Sequence, residues 1–521
     1  MLLATACDVA PPQEPGAAAT PSAPATAAPP AGVPVPEEPD EGPVDDGATG
    51  DGATAGGAGQ GAGGGAAGAA DAVVRPGSDV AAIVDGADAG DRIRFMAGVY
   101  RGVEIVPKDG MTFVADGGVV LRGSTPLDGF ARQGGRWVAA AQRAGDDRPA
   151  QGEEWGFCDD GRDACVQPED LFVDGAPLTR VTSVSQVREG TWYFDTAAGR
   201  VHLGQDPAGH RVELGTTRYA FHGDADDVTI DGFTIEHYAT PGRQGAINPR
   251  VGRVGAAGTG WTVANNRVRH NHGWGVKIEA GMRLVGNVLR GNGQGGVGGV
   301  ADDVLIEGND VVDNCTAGFR CFGWEGGGLK LHGDDITVRG NTVRANLGHG
   351  IHTDIGCDRA VIRDNVVTDN QGAGIHHEIS GSAQITGNTV RGNGFRPTGA
   401  SEPGILVLNS HDVTVRGNTV EANARAVVLR QDRRTDQGIL RTVTVSGNDV
   451  TLDGAGSVVV AKEDGVDAPG WSQGVTFADN TYQVSSAAGQ ARPFTWRGTA
   501  MTIDEWRGTG HDTGSDFVTG G

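Results

Sequence analysis

Short runs of alternating apolar and polar residues fill the chain from Val228 to Val484. In ITVRGNTVRAN (336–346), AQITGNTVRGN (383–393) and VTVRGNTVEAN (413–423), apolar residues stand five and three positions before an Asn and two after it. Around Asn341 these are Ile336, Val338 and Val343; around Asn418 they are Val413, Val415 and Val420. A period of two predicts strands, not helices. The strands are short, β-branched and broken by Gly-Asn or Asp-Asn turns.

The anchoring Asn recurs at 266, 287, 309, 341, 365, 388, 418, 448 and 480. A second Asn follows five residues later at 271, 292, 314, 346, 370, 393 and 423. The smallest spacings, 21 and 22, suit three short strands plus turns, which is one coil of a parallel β-solenoid. Spacings of 30 and 32 are the same coil with a loop inserted. Phe233 fills the anchor slot of an earlier coil, VTIDGFTIEH (228–237). Stacking sets equivalent side chains about 4.8 Å apart. Inward Asn amides would then bond up and down the stack as ladders, a structural role.

This repeat resembles that of right-handed parallel β-helix proteins of the pectate-lyase-like superfamily, over roughly residues 78–521. IRFMAGVYRG (93–102) resembles their N-terminal coil. LFVDGAPLTRV (171–181) with TWYFDTAAGRVHLGQDPAGHRVE (191–213) resembles a small β insertion of secreted members, and FTWRGTAMTIDEWRGTGHD (494–512) resembles their C-terminal extension. The expected fold is all-β. A cap and first coils occupy 78–130, an inserted β subdomain 131–215, the β-helix 216–493 and a C-terminal extension 494–521.

Composition adds the N-terminal part. Residues 1–77 hold ten Asp or Glu against one Arg, and almost no large apolar side chains. Such a segment cannot offset its ordering entropy, so 8–77 is expected to be a disordered tether. Ala4-Thr5-Ala6-Cys7 resembles a bacterial lipobox, which implies a lipid on Cys7 and a signal remnant at 1–7. That resemblance implies a bacterial protein exported to the cell surface or beyond, touching the membrane only through this anchor. No apolar run reaches the ~18 residues of a membrane span. The net charge of −24, with only four Lys, argues against nucleic acid as partner. A monomer is expected.

Export favours disulfides. Cys158 and Cys165 bracket the acidic loop CDDGRDAC and are the first expected pair; Cys321 with Cys315 or Cys357 is the second. The spacings form no pair of C-x2-C zinc hooks, and no metal site is assigned.

Candidate chemistry lies on three consecutive coils: GLKLHGDD (328–335), GIHTDIGCD (350–358) and GIHHEISGS (374–382). Aligned on Gly328, Gly350 and Gly374, they send Leu329, Ile351 and Ile375 inward. Two outward columns remain, Lys330/His352/His376 and His332/Asp354/Glu378. In the next two coils the outward positions become Leu406/Leu408 and Val428/Arg430, so the polar cluster ends there.

Asp354 and Glu378 one rung apart would repel, raising the pKa of one and keeping it protonated as a general acid. Carboxyl groups about 5 Å apart suit a retaining glycosidase. The same patch suits elimination on a uronic acid, with Lys330 or a His as base and Lys330, Arg320 or a cation such as Ca2+ neutralising the carboxylate. Hydrolase-type chemistry is slightly favoured by the carboxylate pair. The family resemblance adds that strings like GLK, WTDI and HEIS occur on successive coils of secreted members, matching Lys330, Asp354 and His377-Glu378. The aromatic common at the place of His352 or His376 is absent. Alternation points His377 inward.

The expected function is a carbohydrate-active enzyme, a glycosidase or polysaccharide lyase, acting on a polysaccharide laid along a water-accessible groove. Glu378, Asp354, Lys330 and His352 would carry catalysis. His332, His376, Arg320 and Trp324 would bind substrate, Trp324 as a sugar platform. The competing reading is a non-catalytic carbohydrate-binding or adhesion solenoid, since fold alone does not fix function.

Overall fold

The computed structural model describes residues 72–145, 149–152, 154–252, 255–322, 326–396, 401–436, 438–452, 457–485 and 492–519. Cys7, most of the expected tether and Trp324 lie outside the described residues.

Three long sheets, of 14, 13 and 12 strands, run along a solenoid. Each coil contributes one strand to each. The coil at Thr337–Arg339, Thr342–Arg344 and His349–Asp354 is typical. Successive rungs pair in parallel and in register, for example Val338 beside Ile362 and Val343 beside Val367, save at the C-terminal end of the third sheet, where Thr499–Met501 turns back antiparallel on Phe494–Trp496. The predicted inward residues form one continuous core through all coils.

The two Asn columns sit at the two tight turns of each coil and are fully buried. Each makes the same set of bonds. Asn365 donates its backbone N–H and its Nδ2 to Asn388 Oδ1 at 3.0 and 2.9 Å, and Nδ2 also reaches Val338 O at 2.9 Å. Its own Oδ1 accepts from Asn341 N and Nδ2. The second column repeats this from Asn271 to Asn423. The residue before each anchor is left-handed: Gly340 has φ 63°, and Asp364 and Asn265 take 59° and 56°. Only Gly, and less readily Asn or Asp, visits this region cheaply, which explains the GN, DN and NN pairs.

One boundary differs from expectation. The solenoid already begins at Ala72–Val74, which pairs with Arg92–Phe95, within the stretch assigned to the tether. Three apolar residues, Ala72, Val73 and Val74, suffice to add an edge strand there. In the C-terminal extension, Asp512–Thr513 and Asp516–Thr519 add to two of the long sheets in parallel. Trp506 of the helix Ile503–Gly508 packs on Phe477 and Phe494 of the last coils.

The insertion carries two small sheets between Ser124 and Gly215 around its own core of Trp192, Phe194, Leu171 and Leu214. Ion pairs of Arg101 and Arg122 with the buried Glu213 tie it to the solenoid, where Arg122 and Arg269 also pair with the buried Glu236. Disulfides join Cys158 to Cys165 and Cys315 to Cys321, and Cys357 is a buried free thiol. The two disulfide loops meet, with Cys158 bridging to Phe319 across a short antiparallel contact. No helix among the described residues is long and apolar enough to cross a membrane.

Removing one Asn in mid-column strands the groups above and below it. Asn365→Ala should destabilise the protein by more than about 3 kcal/mol, because Asn341 N–H and Nδ2 and Val338 O all lose partners in a buried setting. A shift of the urea denaturation midpoint near neutral pH measures it.

Candidate active site

Five strands of the 12-stranded sheet frame the site: β1 (Gly327–His332), β2 (His349–Asp354), β3 (Ile375–Glu378), β4 (Pro403–Leu408) and β5 (Arg425–Gln431). The register is the expected one. Lys330 stands beside His352, His352 beside His376, and Asp354 beside Glu378.

The side chains form one connected row. Lys330 Nζ donates to Asp354 Oδ2 at 2.5 Å and lies 3.3 Å from His352 Nδ1. His352 Nε2 is 3.1 Å from Glu378 Oε2. The His352 and His376 rings stack at 4.2 Å. His332 is half-buried at the end of β1. Because Lys330 can only donate, His352 Nδ1 accepts and its Nε2–H points to Glu378.

Two members were not anticipated. His349 packs edge-on against both His352 and His376, and its Nδ1 accepts from Ala373 N–H at 2.9 Å. Arg434, 56 residues beyond Glu378, reaches back to Glu378 Oε1. The arginine run in RQDRR (430–434) was a signal for the second, but nothing in it says which one turns inward.

The expectation of a water-accessible wall is not met. Lys330, His352, Asp354, His376 and Glu378 are each no more than 5% exposed. Described residues of three inserted loops lie close by: Arg396 stacks over Phe322 at 4.0 Å, joining two of the loops, and the third brings Arg434 to Glu378. Arg320 is placed elsewhere: its backbone N–H bonds Phe157 O in the insertion, and its charge faces Asp159. His377 points inward, its Nδ1 2.9 Å from Thr353 Oγ1 and its Nε2 bonded to Gly381 O.

Nor is either carboxyl held protonated. Burial pushes Asp354 up, but Lys330 overrules it and the carboxyl ends below its ordinary range. Burial likewise pushes Glu378 up, and His376, Arg434 and Lys330 together bring it down. The like-charge repulsion expected of the pair is outweighed by these neighbours. The imidazoles are driven neutral. Burial, then Lys330, lowers His332 and His349 to about 4 and His352 well below its usual value. Burial does the same to His376 and takes His377 to about 4. His376 makes no hydrogen bond with either ring nitrogen, and Asp354 Oδ1 also has no partner.

The strands turn sharply just past the carboxylates. Ile355 and Ile379 take φ of 41° and 47°, a costly conformation for a β-branched residue. Beyond them lies a cleft of roughly 340 Å³, lined by Ile355, Gly356, Ile379, Ser380, His411 and Gly438.

Two trios have ligand atoms within 4.8 Å of one another: His349/His352/His376 and His352/Asp354/Glu378. They do not fit a resident metal. His352 and His349 each use Nδ1 as an acceptor, so the proton occupies the Nε2 a metal would need. Ca2+ takes six to eight oxygens, whereas the row supplies two carboxylates, each already paired with a cation.

The model of the right-handed β-helix region matches residues 253–420, which include β1 to β4. No curated protein matches the chain in sequence. Among solved structures, the A-module of the mannuronan C-5 epimerase AlgE6 of Azotobacter vinelandii is similar at 13% identity and TM-score 0.47, over 85% of this chain and 94% of that one. The catalytic unit of a GH87 α-1,3-glucanase from Streptomyces thermodiastaticus is similar at 12% identity and TM-score 0.42, over 84% of this chain. XylC, in complex with xylose, is similar at 15% identity and TM-score 0.33, over 78% of this chain. The chain spans 65% of the length of each of the last two.

The buried row makes stability acid-sensitive. Histidines that stay neutral when folded but ionise near pH 6.5 when unfolded leave stability intact above that value and erode it as pH falls toward 4. The depressed Asp354 and Glu378 add a further loss at lower pH. Tm should be flat from neutral pH upward and fall steeply below it, each excluded proton being worth about 1.4 kcal/mol per pH unit. His376→Phe keeps a ring in the stack and should make the fall shallower by about one proton. A wild-type Tm constant down to about pH 5 contradicts the buried neutral state.

Strand order, register and the matched repeat agree: the chain folds as a right-handed parallel β-helix.

Proposed function

We propose that this chain is an exported carbohydrate-active enzyme that acts on a polysaccharide through the row Lys330, His352, Asp354, His376 and Glu378. The observation that carries this is the burial of the row where the fold offers an apolar alternative. One and two rungs on, β4 and β5 fill the same columns with Leu406, Leu408 and Val428, equally buried. Taking an ion out of water costs several kcal/mol. A solenoid that needed only a closed face would have continued the leucines. Clustered, strongly perturbed ionisable groups mark functional sites.

The protonation pattern supports proton abstraction better than hydrolysis. A glycosidase needs a carboxylic acid to protonate the leaving oxygen, and both carboxyls here are ionised. A neutral His376, its Nε2 3.5 Å from Glu378 Oε2, suits a base. The reaction this supports is removal of the proton α to a uronate carboxylate. In elimination, the C–H electrons form the new C=C bond, the neighbouring C–O bond breaks, and the leaving oxygen takes a proton from Lys330. Asp354 holds Lys330, and Glu378 holds His352. The substrate class rests on the repeat and motif resemblance. It accords with two of the similar structures, a mannuronan epimerase and an α-1,3-glucanase. The two disulfides support export, since such bonds persist in oxidising compartments.

The burial of the row favours a second reading, a carbohydrate-binding scaffold without turnover. One experiment separates them. The full chain is incubated with neutral and uronate polysaccharides, and ultraviolet absorbance of unsaturated ends is followed beside reducing-end release. Absorbing product is expected from a uronate polymer, with Lys330→Met and His376→Phe each slowing it by roughly 10²-fold or more. Reducing ends without absorbance would mean hydrolysis. Binding without turnover, unchanged by Glu378→Gln, would establish the scaffold reading.

A further inference from the structure

Resting on the reading of the chain as polysaccharide-active, we infer that Arg434 is the residue that recognises an anionic sugar, its guanidinium leaving Glu378 to take the carboxylate of a uronate unit seated in the adjoining cleft.

The arm is built for such an exchange. Arg434 has a side chain 42% exposed, while its partner Glu378 is 7% exposed, so the pair joins the buried row to water. Its guanidinium is pre-aimed. Asp432 Oδ2 accepts from Nη2 at 3.0 Å and from Nε at 3.3 Å, and Asp432 Oδ1 accepts from the Arg434 backbone N–H at 2.9 Å. Two buried amides fix the base of this loop. Asn409 Nδ2 donates to Asp432 Oδ1 and to Arg434 O, and Gln431 Nε2 donates to Asn409 Oδ1 and Gly438 O. None of these bonds uses Nη1. A planar fork held along one edge presents its other edge to a carboxylate in a fixed plane.

Arg434 does not itself line the cleft, but its loop does. Gly438 of the same loop forms one wall, and Ile355, Ile379, Ser380 and His411 form the rest. Its floor begins at the residues directly after Asp354 and Glu378. Its size lies at the lower end of small-ligand pockets, about 300–1,000 Å³, which suits one sugar unit.

Charge selects the ligand. Drawing Arg434 away from Glu378 would leave a buried carboxylate without its cation, a strongly unfavourable state. A neutral sugar offers nothing in return. A uronate gives Arg434 another carboxylate, and the released Glu378 can take up a proton from solvent. The groups facing it are His352 from β2, His376 from β3, Asp354 beside it, Lys330 from β1 and Arg434 itself, so Asp354 then no longer has an anionic neighbour.

The test compares binding of polygalacturonate and of its fully methyl-esterified form by calorimetry, using wild type, Arg434→Ala and Arg434→Lys. The wild type should bind the acid at least roughly ten-fold tighter than the ester. Arg434→Ala should erase that preference and leave the weaker ester binding alone. Arg434→Lys, which keeps the charge and loses the fork, should keep part of it and guards against a folding defect in the alanine variant. Equal binding of acid and ester by the wild type overturns the inference, as do a preference that survives Arg434→Ala and failure to bind either polymer. Selective binding without turnover upholds Arg434 and removes the catalytic reading. Turnover of both polymers alike, undiminished in Arg434→Ala, does the reverse.

Discussion

The amide ladder is the interaction on which everything else depends. A parallel strand pair slipped by one residue turns each side chain to the opposite face. A buried Asn cannot slip, because each amide must meet the one above and below or leave several polar groups unsatisfied. Two columns at the two tight turns lock every coil against its neighbours. Residues distant in sequence are thereby set in line along the third sheet. The short contacts from Lys330 to Glu378 follow from that alignment, not from any local motif.

Alignment alone does not make the row unusual; its enclosure does. In water the same residues would be ordinary surface charges. Buried, they become interdependent, since each neutral imidazole and each ionised carboxyl is held in its state by the next member. Lys330 fixes the tautomer of His352, which in turn is aimed at Glu378, which is capped by Arg434. Changing one member alters the proton count of the others, so effects of paired substitutions here will not add.

Much of this was legible in the sequence. The period of two, the Asn spacing and the left-handed Gly, Asp or Asn before each anchor are local rules, and they give the coil, the register and the columns at 330/352/376 and 332/354/378. What the sequence could not give was depth. Spacings of 32, 30 and 30 residues mark three inserted loops, but nothing in GFRCFGW or RQDRR says that residues of these loops return to the sheet. The protonation error follows from the same gap. Repulsion between Asp354 and Glu378 was visible from their spacing, whereas one of the cations that outweigh it at Glu378, Arg434, comes from a distant loop. His349 was missed for a related reason: it stands before the aligned glycine and turns back onto the rings only because Ala373 N–H holds it.

The ladder has a direction. Every rung donates from N and Nδ2 to the Oδ1 of the following coil, from Asn266 through to Asn480, where Ser515 Oγ receives the last backbone N–H. At the other end Phe233 N–H meets Asn266 Oδ1. Each interior coil therefore presents an identical socket on one side and an identical plug on the other. A whole coil can be gained or lost between any two rungs without disturbing the ends, so in this architecture the length of the solenoid is free to change by tandem duplication while the row stays intact.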